Sequence, residues 1–300
     1  MRITQKLMTD NFLTSLNRQT QKLYQAQERV ATGKRINRAS DDPVGMGRVL
    51  NYRTALSSLS QYRRNIERAR GQVEASEAIL NTVDEMLVSA KGIAVQQASG
   101  NEDAASRQTA ADQVDLLRNQ IIGLANSRVG GRYLYGGRDT DSAPFSVDAG
   151  GDVTYVGDNT TAADTRYVVS QGVEVAVKAN GAEIFTGAQD AFALLKTLQS
   201  ELASPAPDLT VLADMTGKLQ EAIDQVRTVR ADSGTVSTYL EATTGQLDRM
   251  ELNLENLRGG EEDADIPQVA MELKVQETVY ESTLAVAAQI LPKSLVKFLA

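Results

Sequence analysis

The side chains that most often carry acid–base, nucleophilic and metal chemistry are largely missing from this chain. Its 300 residues include no His and no Cys. Without His the commonest general base, the commonest metal ligand and the near-neutral pH switch are gone. Without Cys there is no thiolate nucleophile, no thiolate metal site and no disulfide. Carboxylates, Lys and Ser remain, yet no Ser–His–acid triad can be assembled without an imidazole. Three short stretches still invite chemistry, and each reads better as structure. "GGRYLYGG" (130–137) lacks the Lys-Ser/Thr of a phosphate loop and the spacing of a dinucleotide fingerprint, and reads as turns leading into strands. "DADIPQ" offers Asp263 and Asp265 without a glycine turn or a trailing Glu at calcium-loop spacing, and reads as a helix cap. "YRRNIERARG" (62–71) is locally basic, with Arg64 and Arg68 on an outward helix face and Glu67 interleaved, and reads as a solvated face or a protein contact. No catalytic residue, cofactor or metal is expected.

Charge and hydropathy narrow the partners. A net charge of −8 and a pI near 4.9 argue against nucleic acid and anionic membranes. No run approaches the roughly 18 apolar residues of a membrane helix, so no membrane insertion is expected. "MRITQKLMTDNFLTSLNRQ" lacks the apolar core of a cleaved signal peptide, which implies a cytoplasmic protein or one exported without cleavage. Trp is absent and aromatics make up 5%, so Leu, Val, Ile and Ala must fill the interior.

The elements that would position these residues are helical over most of the length. Phe12, Leu16, Leu23 and Val30, with Ala26 between them, form a sparse stripe at heptad spacing. Gly33 is a natural C-terminal stop, and Ser40, Asp41, Asp42 and Pro43 read as an N-cap followed by proline at the first helical position. A second helix then carries the clearest pattern in the chain. Tyr52, Leu59, Ile66, Val73, Leu80, Leu87 and Ala94 recur every seventh residue, with Ala55, Tyr62, Ala69, Ser76, Val83 and Ala90 three residues after them. That is an a/d seam over roughly 65 Å of helix. A shorter helix follows "ASGNED", with Val114, Leu117, Ile121 and Leu124. Beyond Gly130, "DVTYVG", "TRYVVS" and "VEVAVKANGAEIF" are β-branched runs joined by turn residues, with Asn180–Gly181 the sharpest hairpin signal. Helical pattern resumes at Ala188, pauses at Pro205 and Pro207, and continues as a seam from Leu212 to Leu257. Gly259, Gly260 and "EEDAD" read as a second break, and a last helix carries Leu273, Tyr280 and Ala287 on one row and Leu284, Leu291 and Phe298 on another.

The layout is a mirror: short helix, break, long helix, β insert, long helix, break, short helix. It implies a mainly α fold, a long antiparallel helical bundle or coiled coil built from the N- and C-terminal halves, with a small inserted β-rich domain. Gly33, Asp41, Asp42 and Pro43 on one side, and Gly259 and Gly260 on the other, would form the joint between the terminal pair and the bundle. The terminal stripes fit ordinary coiled-coil packing of the two terminal helices on each other. A pair this short, with Gln5, Gln19 and Glu277 at or near seam positions, is marginal alone, so the stripes are expected to complete burial against neighbouring subunits.

"ATGKRINRASDDPVG" (31–45) resembles the signature of the flagellin family, and "YESTLAVAAQILPKSLVKFLA" (280–300) is similar to that family's C-terminal helix. "GRYLYGG", "APF", "YVGDNT", "NGAEIF", the start "MRIT" and the "DDP" triplet look like its hook–filament junction branch. The resemblance implies an exported, extracellular subunit of the bacterial flagellum. It implies a terminal helix pair (D0, residues 1–44 with 261–300), a rod domain (D1, 45–137 with 188–260) and a reduced outer domain (D2, 138–187). Implied partners are a hook-side junction protein, flagellin and/or a filament cap, further copies in a ring or helical layer, and an export chaperone on the C-terminal helix. Phe12, Leu16, Leu23, Val30, Tyr280, Leu284, Leu291, Leu295 and Phe298 are then the expected assembly stripe. A small filament-forming flagellin, or a secreted coiled-coil effector or translocator, would fit the same helices.

Overall fold

The computed structural model describes residues 2–100, 102–158, 160 and 164–290. Among these residues seven helices and six short strands follow one another: α1 (Arg2–Thr32), α2 (Pro43–Gln97), α3 (Ala104–Ala125), β1 (Arg128–Val129), β2 (Arg132–Tyr133), β3 (Phe145–Val147), β4 (Val153–Tyr155), β5 (Thr165–Ser170), β6 (Val173–Val177), α4 (Gly181–Phe185), α5 (Ala191–Ala203), α6 (Leu209–Glu262) and α7 (Ile266–Ile290). The fold is mainly α, with long helices that pair the two halves of the chain and a small strand-containing region. It divides into two compact units, residues 59–247 and residues 1–58 with 248–300.

In the unit 59–247 the predicted seam is the core. Ile66, Leu80, Val83, Leu87, Ala90 and Ala94 of α2 are at most 1% exposed, as are Leu212, Leu219, Ala222 and Val226 of α6. Polar pairs fix the direction of pairing. Lys91 Nζ donates to Gln220 Oε1 at 2.6 Å, Arg227 Nε to Asp84 Oδ1 at 2.7 Å, and Arg230 Nη2 to Glu77 Oε1 at 2.8 Å. Numbers fall along α2 as they rise along α6, so the helices are antiparallel. Helices α3 and α5 pack on each other and close the far side of the core with Val114, Ile121, Leu195 and Leu198.

The strands form three antiparallel hairpins, β1–β2, β3–β4 and β5–β6. Gly130 and Gly131 turn the first with φ of 59° and 83°, the left-handed pair that a tight two-residue hairpin demands. Hairpin β3–β4 turns Phe145 into the helical core, with Val153 and Tyr155 packed against it. Phe145 packs edge-on against Tyr155, Phe185 and Phe192, with centroids 5.2, 5.5 and 5.2 Å away, and Tyr135 meets Phe185 at 5.3 Å.

Two local expectations are corrected. Asn180–Gly181 is not a hairpin turn: Asn180 has φ −82°, and its side chain accepts from Ala182 N as the N-cap of α4. Gly181 is required there because a Cβ would stand 2.8 Å from both the Phe145 ring and the Tyr135 carbonyl. Gln171–Gly172 turns the hairpin that follows β5 instead, with Gly172 at φ 72°. The break placed at Gly259–Gly260 is also displaced. Both glycines lie inside α6, which continues to Glu262 because the Glu262 carbonyl finds acceptor duty with Arg35 N at 2.7 Å. The α6 seam is buried as far as Leu247 and then opens, leaving Met250 and Leu257 exposed.

Candidate assembly surface

The unit 1–58 with 248–300 holds the expected stripe and the expected joint. Helix α1 ends at Thr32 because Gly33 takes φ 69° and donates to Arg29 O at 2.9 Å, a left-handed helix cap. Asp41 Oδ2 accepts from Asn37 N and Arg38 N at 3.1 and 2.9 Å, which folds the loop on itself. Asp42 Oδ1 accepts from Gly45 N at 2.8 Å, capping α2, which starts on Pro43 as predicted. That backbone hydrogen bond, with Arg35 beside it, holds the Asp42 carboxyl below its ordinary range. Gly45 admits no side chain, since a Cβ would lie 2.5 Å from Asp42 Oδ2 and 2.7 Å from the buried Ile36.

Glu262 fastens this loop to the end of α6. Its side chain is 3% exposed and pairs with Lys34 and, at 2.6 Å, with Arg53 Nη2, while its carbonyl takes Arg35 N. Burial alone would push the Glu262 carboxyl up; the Lys34 and Arg53 hydrogen bonds outweigh it and leave the carboxyl below its usual value. Beside it Arg48 Nε meets Glu261 Oε1 at 3.0 Å, Arg35 Nη2 donates to Glu261 O at 2.7 Å, and Ala264 N donates to Gly33 O at 2.9 Å. Sequence reading named the glycines and Asp41, Asp42 and Pro43 but missed Glu262. Its partners stand more than two hundred positions away, and no local spacing announces them.

Helices α1 and α7 pack side by side, with Arg29 Nη1 and Glu272 Oε2 3.7 Å apart. Phe12, Leu16, Leu23, Val30 and Tyr280 are half-buried along the pair, Ala26 is 2% exposed and Ala287 is 9% exposed. Leu284 is 42% exposed. Leu291, Leu295 and Phe298 lie outside the described residues. A hollow of about 310 Å³ opens between the helices at Phe12, Val279, Thr283 and Val286. Leu7, Leu13, Tyr24, Met271, Val275 and Val286 stand in water at 49% exposure or more. Two helices can cover only one stripe of each other, and apolar groups remain on both backs. The arrangement can bind further helices; among the described residues no group of His, Cys, Asp and Glu could hold a metal ion, and no helix is long and apolar enough to cross a membrane.

Two family descriptions match the chain: the bacterial flagellin N-terminal helical region over residues 3–140 and the C-terminal helical region over residues 216–299. Flagellar hook-associated protein 3 of Escherichia coli K12 is 26% identical over 265 residues, 81% of this chain and 82% of that one. A flagellin of Bacillus subtilis is 25% identical over 306 residues, covering 96% of each. Among solved structures, one assigned as a flagellar hook-associated protein of Vibrio parahaemolyticus superposes with a TM-score of 0.68 at 21% identity, over 74% of this chain and all of that one. That last likeness speaks for the fold.

Proposed function

The chain belongs to the bacterial flagellin family, and from that premise we propose that it is a non-catalytic structural subunit of the flagellum, an adaptor between hook and filament. The observation that carries this reading is the α1–α7 pair, whose apolar backs are left exposed among the described residues. Such a pair is one slice of a thicker helical wall. Burying each large apolar side chain against a neighbour contributes ~1.5–3 kcal/mol, enough to drive ordering and assembly together. The likeness to a hook-associated relative along most of both chains supports the junction over the filament proper.

On this reading residues 1–44 with 261–300 act as the inner terminal pair, 45–137 with 188–260 as the rod, and 138–187 as a reduced outer domain. The assembly stripe is Phe12, Leu16, Leu23, Val30, Tyr280, Leu284, Leu291, Leu295 and Phe298. Gly33, Asp41, Asp42 and Pro43, with the end of α6 that contains Gly259 and Gly260, form the joint. Partners are a hook-side junction protein on one side, flagellin or the cap on the other, and further copies in a ring or helical layer. An export chaperone would take the C-terminal helix before the chain leaves the cell for the flagellum.

A filament-forming flagellin is the second reading, favoured by the match over nearly the full length of the Bacillus subtilis protein. Electron microscopy of the purified chain with isolated hooks separates the two. An adaptor decorates hook ends and stops until flagellin is added. Filaments that elongate from this chain alone would overturn the junction role and leave the second reading standing.

A further inference from the structure

The basic stretch around Arg68, which the assembly role leaves unused, lies on a cleft. Helix α2 forms one wall with Glu67, Arg68, Gly71 and Gln72, and the hairpins β1–β2 and β5–β6 form the other with Val129, Arg132, Tyr133 and Tyr167. Its volume is about 310 Å³, and a second hollow of about 460 Å³ adjoins it through Arg132 and Thr165, adding Arg138 and Arg166. In a chain of net charge −8, the two hollows are lined by four arginines and two carboxylates, Glu67 and Asp164, with Asp158 near enough to Arg138 to feel its charge. Arg68, Arg132 and Arg138 make no ion pair among the described residues, and Arg166 reaches only an exposed Glu174 at 3.9 Å.

The floor is apolar where the rim is basic. Arg128 stacks over the Tyr133 ring at 4.1 Å, leaving that ring fixed beside Val129. Tyr167 donates its hydroxyl to Gln72 Oε1 at 2.8 Å, which holds its ring upright against α2. Between them, Gly71 sits inside a long helix with nothing within 4 Å of where its Cβ would be. A mid-helix glycine is unfavourable relative to alanine. No close packing requires it, and since it lines the cleft a long side chain there would project into that space.

We propose that this cleft is a docking site for an acidic peptide segment of a partner protein, one carrying an aromatic or large aliphatic residue between carboxylates. Charge complementarity argues for the carboxylates: guanidinium groups pair with them in bidentate fashion. The apolar floor argues for the anchor side chain, because a phosphate or a sulfated sugar would leave Val129 and the two tyrosine rings wet. The site stands on its own geometry and does not depend on the hook–filament reading.

The test uses the full chain and a fluorescent probe peptide, acetyl-Asp-Glu-Phe-Asp-Glu-amide, read by anisotropy at 50 mM NaCl. Saturable binding is expected, weakened roughly tenfold by R68E/R132E and roughly tenfold by replacing Phe in the probe with Gly. Gly71→Leu should abolish binding while leaving the melting temperature unchanged or higher, which a merely structural glycine would not do. Helix content by circular dichroism checks that the variants fold. Absence of saturable binding overturns the proposal. So does displacement of the probe by inorganic phosphate or heparin at concentrations no higher than the unlabelled peptide needs, which would mark a general anion patch.

Discussion

The two compact units use one kind of sequence to reach different ends. In residues 59–247, heptad-spaced Leu80, Leu87 and Leu219 are fully buried, because α3, α5 and hairpin β3–β4 complete the shell that α2 and α6 begin. In residues 1–58 with 248–300, the same kind of spacing leaves Phe12, Leu16 and Leu23 half-buried, while Tyr24 and Met271, off those rows, are 66% and 65% exposed. The difference is the number of layers, since a helix hides its apolar stripe only when neighbours flank it on both sides. Periodicity therefore reports which face of a helix is adhesive, and says nothing of whether the same chain supplies the cover.

The comparison is broken most directly by truncating one residue in each unit. Phe185→Ala removes a ring that touches Tyr135, Phe145 and Phe192 and is 0% exposed; it should cost ~3–5 kcal/mol in urea unfolding followed by tyrosine fluorescence. Leu16→Ala should cost under ~1 kcal/mol in the isolated subunit. Equal losses at the two sites would show that the terminal unit is as well packed as the bundle.

The next effect is smaller and depends on pH. Despite its burial, the hydrogen bonds from Lys34 and Arg53 hold the Glu262 carboxyl below its ordinary value in the folded chain, so its contribution is fully present above that ordinary value. The contribution is lost as pH falls through the depressed folded value. Glu262→Gln should weaken the terminal unit by about 1.5–3 kcal/mol at neutral pH and flatten its acid sensitivity. Hydrogen exchange of the Arg35 and Ile36 amides reads this unit selectively. An unchanged acid profile in the variant would assign the sensitivity elsewhere.

The smallest effect has the opposite sign. Gly260 lies inside α6 with nothing within 4 Å of a prospective Cβ. Gly260→Ala should therefore stabilise the helix by ~0.5–1 kcal/mol. A loss on thermal melting would mean that this glycine bends or flexes, and would restore the break read from the sequence.

Much of this was legible in the residues. The stop at Gly33, the start at Pro43 and the α2–α6 seam follow from local backbone preference and from spacing within one helix. Asn180–Gly181 misled because a dipeptide that suits a hairpin also suits a helix cap, and the choice was made by Phe145, distant in sequence and pressed against Gly181. Gly259–Gly260 misled because helical propensity is a weak preference, outweighed here by the partners that hold Glu262 at the helix end. The strand segment was legible as hairpins, whereas the burial of Phe145 and Tyr155 in the helical core was not, since it depends on Phe185 and Phe192. At the candidate surface the α1 stripe stood out plainly, while Lys34, Arg53 and Glu262 had nothing local to mark them as one cluster.

The hydrogen bond from Arg35 to the Glu261 carbonyl spans 226 residues, and that span has a consequence in time. Residues 59–247 form a contiguous run, so their unit can close while the last fifty residues are still arriving. The terminal unit cannot begin to close until α6 has ended and α7 has followed. Closing so large a loop carries an entropic delay that grows with the logarithm of its length, and distant contacts form slowly. A chain threaded out one end first would thus present a finished bundle with two unfinished ends, and the ends would still be free to choose between each other and a neighbour.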